Sequence, residues 1–213
     1  MPIVADVASS FIIDNGAFSV WKQGGVLDFD GYISFCEKWH RHPGFDWALI
    51  PDVIDGSEED NDEMLRRWPH DINGVPVYHI HESLQRLDRL ANEFRIVALG
   101  SSGEWPTPGT SGWWGRMEKV MNFICDGNGR PKCKLHGLRM MNPNIFTRLP
   151  LASADSTNVA QNMNTTGRFG IYTPPTQSQR AVIIASRIEA HNSAPVWIRR
   201  EQLDLFEPMT CRV

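Results

Sequence analysis

Several things are missing from this chain of 213 residues. No apolar run approaches the roughly 18 residues that a membrane span requires, and no basic–apolar–small series marks a secretory signal. The four cysteines, Cys36, Cys125, Cys133 and Cys211, are scattered, with no CxxC pair. Neither a disulfide framework nor a structural zinc site is expected, and a cytoplasmic protein with reduced thiols is. No GxxxxGK[ST], strand-GxGxxG-helix, GxSxG or HExxH occurs, which removes the familiar nucleotide-binding, serine-hydrolase and zinc-protease signatures. There is no internal repeat and no low-complexity stretch. Nor is there an excess of positive charge to advertise nucleic-acid binding, since the net charge is −4.

What is present is ordinary globular composition, 41% hydrophobic and 22% charged, enough for one sizeable core. A single domain over 1–213 is expected, with 195–213 as a C-terminal tail. Charge is uneven along the chain. Residues 1–115 carry 8 Lys+Arg against 18 Asp+Glu, and residues 116–213 carry 13 against 7. Either the basic half faces a polyanion, or solvated helices simply differ in charge.

Short apolar runs recur, each ending on polar or turn residues. They are "FIIDNGAFSVW" (11–21), "FDWALIPDVIDG" (45–56), "VPVYHIHE" (75–82), "RIVALGSSGEW" (95–105), "KLHGLRMMN" (134–142) and "PLASADSTN" (150–158), with "RFGIY" (168–172) weaker. Runs of this length and composition predict buried strands. Helical spacing lies between them, over 28–41, 57–68, 83–94, 112–125 and 178–191. Asp28 or Asp30 is the predicted cap of the first, and Ser57 with Asp60 that of the second. Strand and helix alternate, so the expected fold is α/β with parallel strands. A compact (β/α) TIM-type barrel, either complete or incomplete given that six or seven strand candidates are found, is favoured. A doubly wound open sheet is the alternative.

In a parallel barrel every strand delivers its C-terminal end to one face, so Asp14, Asp52, His79, His81, Glu104 and Asp155 would converge. One acid alone is turn chemistry. Several together suit glycosyl transfer, in which one carboxylate attacks the anomeric carbon and another handles protons. They also suit a metal-dependent hydrolase on Asp52, His79, His81 and Asp155, since His79 and His81 share a face if both lie on a strand. A third reading is a non-catalytic binding protein. "GNGRPKCK" (127–134) reads as a basic loop able to touch phosphate.

Ordered along the chain, these stations resemble the tRNA-guanine transglycosylase superfamily. "DNGAFS" (14–19) resembles its "DSGGFQ", and "IPDV" (50–53) falls where that family has an aspartate reading the guanine edge. "VYHIHE" (77–82) falls at its "VQGG" strand. "ALGSSGE" (98–104) resembles "GGLAVGE", and "KLHGLR" (134–139) resembles "YLMGVG". "SADSTN" (153–158) falls where the nucleophilic aspartate stands. The likeness spans 11–158 by order and spacing, and is nearest to the DpdA-like branch, often phage-encoded, which places 7-deazaguanine in DNA. The family's CxCxxC zinc site and the glutamine of "VQGG" are missing, which favours DNA over tRNA.

The resemblance implies the following roles. Asp155 attacks C1′ and expels guanine, and Asp14 is the general acid/base. Asp52 accepts from the base's N–H edge, while Gly100 and Ser101 wall the pocket. Phe18 or Tyr78 stacks on the base, beside Ser19, His79, His81, His136 and Gly137. Arg139, Arg148, Arg168 and Lys132 contact the backbone. Trp105, Trp113 and Trp114 either stack beside an extruded base or pack in the core. Partners are then DNA or tRNA and a free 7-deazaguanine base. A protein partner or second copy could complete the nucleic-acid surface. No cofactor and no membrane are expected, and the place is the cytoplasm, the host's if phage-encoded. Burial raises a carboxylate's pKa, which suits Asp14 but hinders a nucleophile. Asp155 therefore requires hydrogen-bond support, expected from Ser156, Thr157 or Asn158.

Overall fold

The computed structural model describes residues 2–165, 167 and 169–199. Six of the apolar runs become parallel strands, and the chain divides into two units, Met1–Glu104 and Trp105–Val213. The first unit contains α1 (Pro2–Val7), β1 (Phe11–Ile13), α2 (Ala17–Lys22), α3 (Phe29–Trp39) and β2 (Phe45–Leu49). It continues with α4 (Glu58–Arg67), β3 (Gly74–Val75), β4 (Val77–His79), α5 (Leu84–Glu93) and β5 (Ile96–Gly100). β1 pairs with β2, β2 with β3, and β4 with β5, all parallel. The single run at 75–82 gives both β3 and β4, because Pro76 between them has no N–H to donate to a ladder.

Helix caps follow local chemistry. Asp28 accepts from the Gly31 N–H at the start of α3. Ser57 and Asp60 form a reciprocal capping box on α4. Ser83 accepts from Arg86 N–H on α5. The last residues of β2 and β5 are buried without alternation, as in parallel strands covered on both faces. Phe11, Ile13, Ala48, Ile50, Trp68, Ile72 and Cys36 form one core, against which Tyr32, Trp39 and Phe94 pack.

The second unit contains α6 (Ser111–Ile124), β6 (Lys134–Gly137), α7 (Pro143–Phe146), β7 (Ser153–Ala154), α8 (Asn158–Asn162) and α9 (Gln177–Glu189). β6 and β7 pair in parallel. Trp113, Met117, Val120, Met121 and Ile124 bury one stripe of α6 completely, at the 3–4 residue spacing of an amphipathic helix.

The α/β class with parallel strands is as expected. Barrel closure is not seen: among the described residues β1 pairs with β2 alone, and the ladders fit an open sheet or an incomplete barrel. Phe169–Tyr172 forms turns rather than a strand, with Gly170 at φ 73°, while Arg168 lies outside the described residues. The short helix α2 follows Asp14 where only a polar turn was expected. Of the tail, 200–213 lies outside the described residues. Trp197 is buried, donating from its backbone N–H to Gly129 O and from its indole N–H to Asn122 Oδ1. The Trp197 backbone stands where a Gly129 Cβ would be, so this glycine of the basic loop serves close packing. Among the described residues no helix is long and apolar enough to cross a membrane.

Candidate functional site

In the first unit the turn after β1 does two separate things. Asp14 is exposed and accepts from the Gly16 N–H at 3.2 Å, a short Asx-type turn. Gly16 has φ 68°, a conformation that favours glycine. Asn15 instead points inward. It is buried, donates to Asp52 Oδ1 at 2.9 Å and Ile50 O at 3.2 Å, and accepts from Ala17 N–H at 2.8 Å. The Tyr32 hydroxyl lies 2.8 Å from Leu49 O and 3.2 Å from Ile13 O. One side chain of α3 therefore ties the C-terminal ends of β1 and β2, from which Asp14 and Asp52 emerge.

Asp52 Oδ2 stands 2.9 Å from His79 Nε2. That is ion-pair distance, yet the approach is too oblique for a hydrogen bond. Neither ring nitrogen of the buried His79 has a hydrogen-bond partner. Buried polar atoms are ordinarily satisfied, and catalytic hydrogen bonds often align only when a ligand is present. β4 ends at His79, so His81 lies on the following turn and not on the strand. The face-sharing argument for a His-x-His strand pair fails, because the Glu82 N–H bonds back to His79 O at 2.8 Å. The two rings nevertheless stack, with centroids 5.7 Å apart.

"GSSG" (100–103) is explained by these rings. A Cβ on Gly100 would stand 3.1 Å from His79 Nδ1, and one on Gly103, at φ +59°, would stand 2.8 Å from His81 Cβ. Ser102 Oγ is 2.7 Å from His81 Nδ1, and Ser101 is buried beside it in sequence. Tyr78 is fully buried and donates to Glu82 O at 3.0 Å, so it is a core residue and not a stacking platform. Phe18 is 37% exposed, with its ring 5.7 Å from Trp21, and Ser19 is exposed.

Sequence reasoning passed over a buried polar cluster next to this pair. Glu82 Oε2 accepts from His79 N–H at 2.9 Å and from Arg86 Nη1 at 2.7 Å, and Glu82 Oε1 accepts from Asn61 Nδ2 at 3.1 Å. Asn61 Oδ1 accepts from Val53 N–H at 2.7 Å. Burial pushes the Glu82 carboxyl above its ordinary value, against the opposing pull of Arg86. "SEEDNDEMLRRW" has only polar residues before its first apolar one, Met64, so nothing singles out Asn61 among them.

In the second unit Asp155 follows β7. Its Oδ1 accepts from the Arg139 N–H at 2.6 Å, and its Oδ2 is 3.4 Å from His136 Nε2. The expected donors Ser156, Thr157 and Asn158 do not supply this support; Ser156 Oγ accepts from Asn158 N–H instead. Arg139 is the one non-glycine residue with positive φ among those described, at 58°. Such strain is held where the surroundings enforce it, and here it aims an N–H at a carboxylate. His136 is fully buried, with Ser153 Oγ 2.8 Å from Nδ1. Ser153 and Asp155 thus stand at opposite nitrogens of the one ring.

The other predicted residues are less closely drawn in. A Cβ on Gly137 would meet Leu151 at 2.8 Å and Met140 at 2.9 Å, so this glycine packs the core. The Arg139 guanidinium donates to Pro106 O at 3.2 Å, and burial pushes its pKa below the ordinary value while Asp155 pulls it back. Arg148 is exposed and lies over the Trp114 ring at 4.0 Å, and Arg116 lies over Trp105 at 5.2 Å. Trp113 is core. Lys132 is exposed. Among the described residues no three His, Cys, Asp or Glu side chains are grouped to hold a metal ion.

Comparison with known proteins finds no matching family model, no matching curated protein and no matching solved structure.

Proposed function

We propose that this chain is a base-exchange transglycosylase that replaces guanine in nucleic acid, DNA rather than tRNA, with a 7-deazaguanine. The observation that carries the reading is Asp155, a partly exposed carboxylate after a strand end. One of its oxygens is fixed by the Arg139 N–H and the other faces His136. These contacts hold the carboxylate in one orientation, as a nucleophile requires. Asp155 attacks C1′, the C1′–N bond to guanine breaks, and a glycosyl ester forms. The incoming base then attacks C1′ and releases Asp155. Asp14 gives a proton to the departing base and takes one from the arriving base, and Asp52 accepts from the base's N–H edge. The fold belongs to the same proposal. β1, β2 and β3 stand in chain order without reversal, which suits an incomplete barrel better than a doubly wound sheet.

The test is exchange of labelled guanine into duplex DNA, single-stranded DNA and tRNA, with wild type beside Asp155→Ala. Label entering DNA, and lost in the variant, is the expected result. Label entering tRNA alone would correct the polymer. No exchange of guanine or any 7-deazaguanine would overturn the reading and leave the metal-dependent hydrolase and the binding protein to be tested.

A further inference from the structure

We infer that Asn61, Glu82 and Arg86 are positioning residues that set where Asp52 stands relative to His79. The inference rests on the reading of Asp52 and His79 as base-handling groups. All three side chains are almost completely buried, although each is polar or charged. They come from two helices, α4 and α5, and from the turn after β4. What they hold is backbone. Asn61 takes the Val53 N–H at 2.7 Å and reaches the Val53 carbonyl at 3.3 Å. That grips both backbone groups of the residue after Asp52. Glu82 takes the backbone N–H of His79 itself. The 3.1 Å bond from Asn61 to Glu82 closes the bridge between the two.

Arg86 completes the cluster. It donates to Glu82 at 2.7 Å and to Val77 O at 3.1 Å in β4, and its Nε donates to Asp62 at 3.1 Å. A buried ion pair is weak support for stability, because desolvating two charges offsets their attraction. Apolar side chains of like size would fill the same space without that cost. The cluster's distinctive result is geometric. Ile50 N–H bonds to Val75 O and Asn15 reaches Ile50 O and Asp52, but within the 53–56 stretch the cluster is what links the backbone beside Asp52 to that of His79. The His79–Asp52 approach is oblique and lacks a hydrogen bond of its own, so its geometry must be imposed from outside the pair.

The test uses the full chain. Asn61→Ala removes the grip on Val53 while leaving the Glu82–Arg86 pair intact. At one fixed pH, the ring ¹⁵N shifts of His79 report its contact with Asp52. Glu82, across the turn, and His81, stacked on the ring, are the other ionisable groups facing it. In Asn61→Ala those shifts are expected to move to the values found in Asp52→Asn, and in the Asp52→Asn background the second substitution is expected to move them no further. Val120→Ala, a core truncation in α6, lowers the melting temperature and leaves the shifts where they were. If Asn61→Ala does not fold, Asn61→Ser, which keeps a hydroxyl acceptor for Val53, takes its place with the same expectation in smaller measure. Wild-type shifts in the folded Asn61 variant would overturn the inference, as would equal movement in the Asp52→Asn background. Where base exchange is measurable, kcat is expected to fall about 100-fold, the scale of a 1 Å misplacement, with little change in KM. A wild type without exchange activity would count against the proposed function alone, since the ring shifts still decide the positioning.

Discussion

Each unit of this protein holds a buried histidine beside an aspartate, and the two pairs are made differently. His136 is locked. Ser153 engages one ring nitrogen, Asp155 the other, and Arg139 fixes the far oxygen of the carboxylate. His79 is set but not satisfied: Asp52 is 2.9 Å away, yet both ring nitrogens lack a hydrogen bond. A locked pair suits a group that must present one atom along one line, as a nucleophile does. An unsatisfied pair suits a place where a ligand's donors and acceptors complete the set. The surroundings agree with that difference. Asp155 and Asp52 each take a direct bond, from the Arg139 N–H and the Asn15 amide, whereas His79 is held by Glu82 through its backbone N–H and Asn61 grips the backbone of Val53 beside Asp52.

The largest effect separates the two aspartates. Asp155→Asn is expected to lower base exchange on the order of 1,000-fold or more, as removal of a covalent catalyst does. Asp52→Asn is expected to cost roughly 10–100-fold, the scale of a lost hydrogen bond between a charged acceptor and the base's N–H edge. Single-turnover exchange with each variant measures both, and equal losses would erase the distinction drawn here. A smaller effect separates the two histidines in stability. His136→Leu removes the ring that the exposed Ser153 and the partly exposed Asp155 engage, and is expected to cost about 1 kcal/mol, the net worth of an ordinary hydrogen bond. His79→Leu loses no ring hydrogen bond, only the approach to Asp52 and the stacking on His81, and is expected to cost less. Urea unfolding of the two variants makes the comparison, and a large loss in His79→Leu would show that its environment is satisfied after all.

The smallest effect is alkaline and tests the tie at the ends of β1 and β2. Burial pushes the Tyr32 hydroxyl well above its ordinary value, and burial pushes the Cys36 thiol up to about 11. In the unfolded chain these groups release protons near pH 10 and 9, while the folded protein still holds them. Their contribution is therefore fully present below about pH 9 and is lost as pH rises toward the folded values. Unfolding curves from pH 8 to pH 11 should show a progressive fall, and the fall should be shallower in Tyr32→Phe. Cys125 in the other unit, pushed up to about 12, adds to the fall without touching the tie.

Much of the architecture could be read from the chain because it is written locally. The runs at 11–13, 45–49 and 96–100 are apolar on both faces, and Ser57, Ser83 and Asp28 carry their caps in plain sequence. Barrel closure could not be read, since it depends on pairings between distant segments. The short helix α2 was hidden because "AFSVWK" is brief and carries no side-chain cap. The carboxylates were found by their position after apolar runs. Their partners were not: Asn15 looked like a turn residue, Asn61 sits among the acids that open its helix, and the Arg139 N–H belongs to backbone that no side-chain pattern reports. What a sequence reveals least is the buried polar contact between segments far apart along it.

Pro76 carries a further consequence, for how the protein breathes. Hydrogen-bonded ladders open cooperatively, each bond protecting the next, and local opening spreads until it meets a gap. At Pro76 the run changes partner, from β2 on one side to β5 on the other, and it does so with one donor fewer, while the Pro76 carbonyl still accepts from Ala98 N–H at 2.9 Å. Amide exchange is therefore expected to be faster on the β2 side of this residue than on the β5 side, where His79 lies.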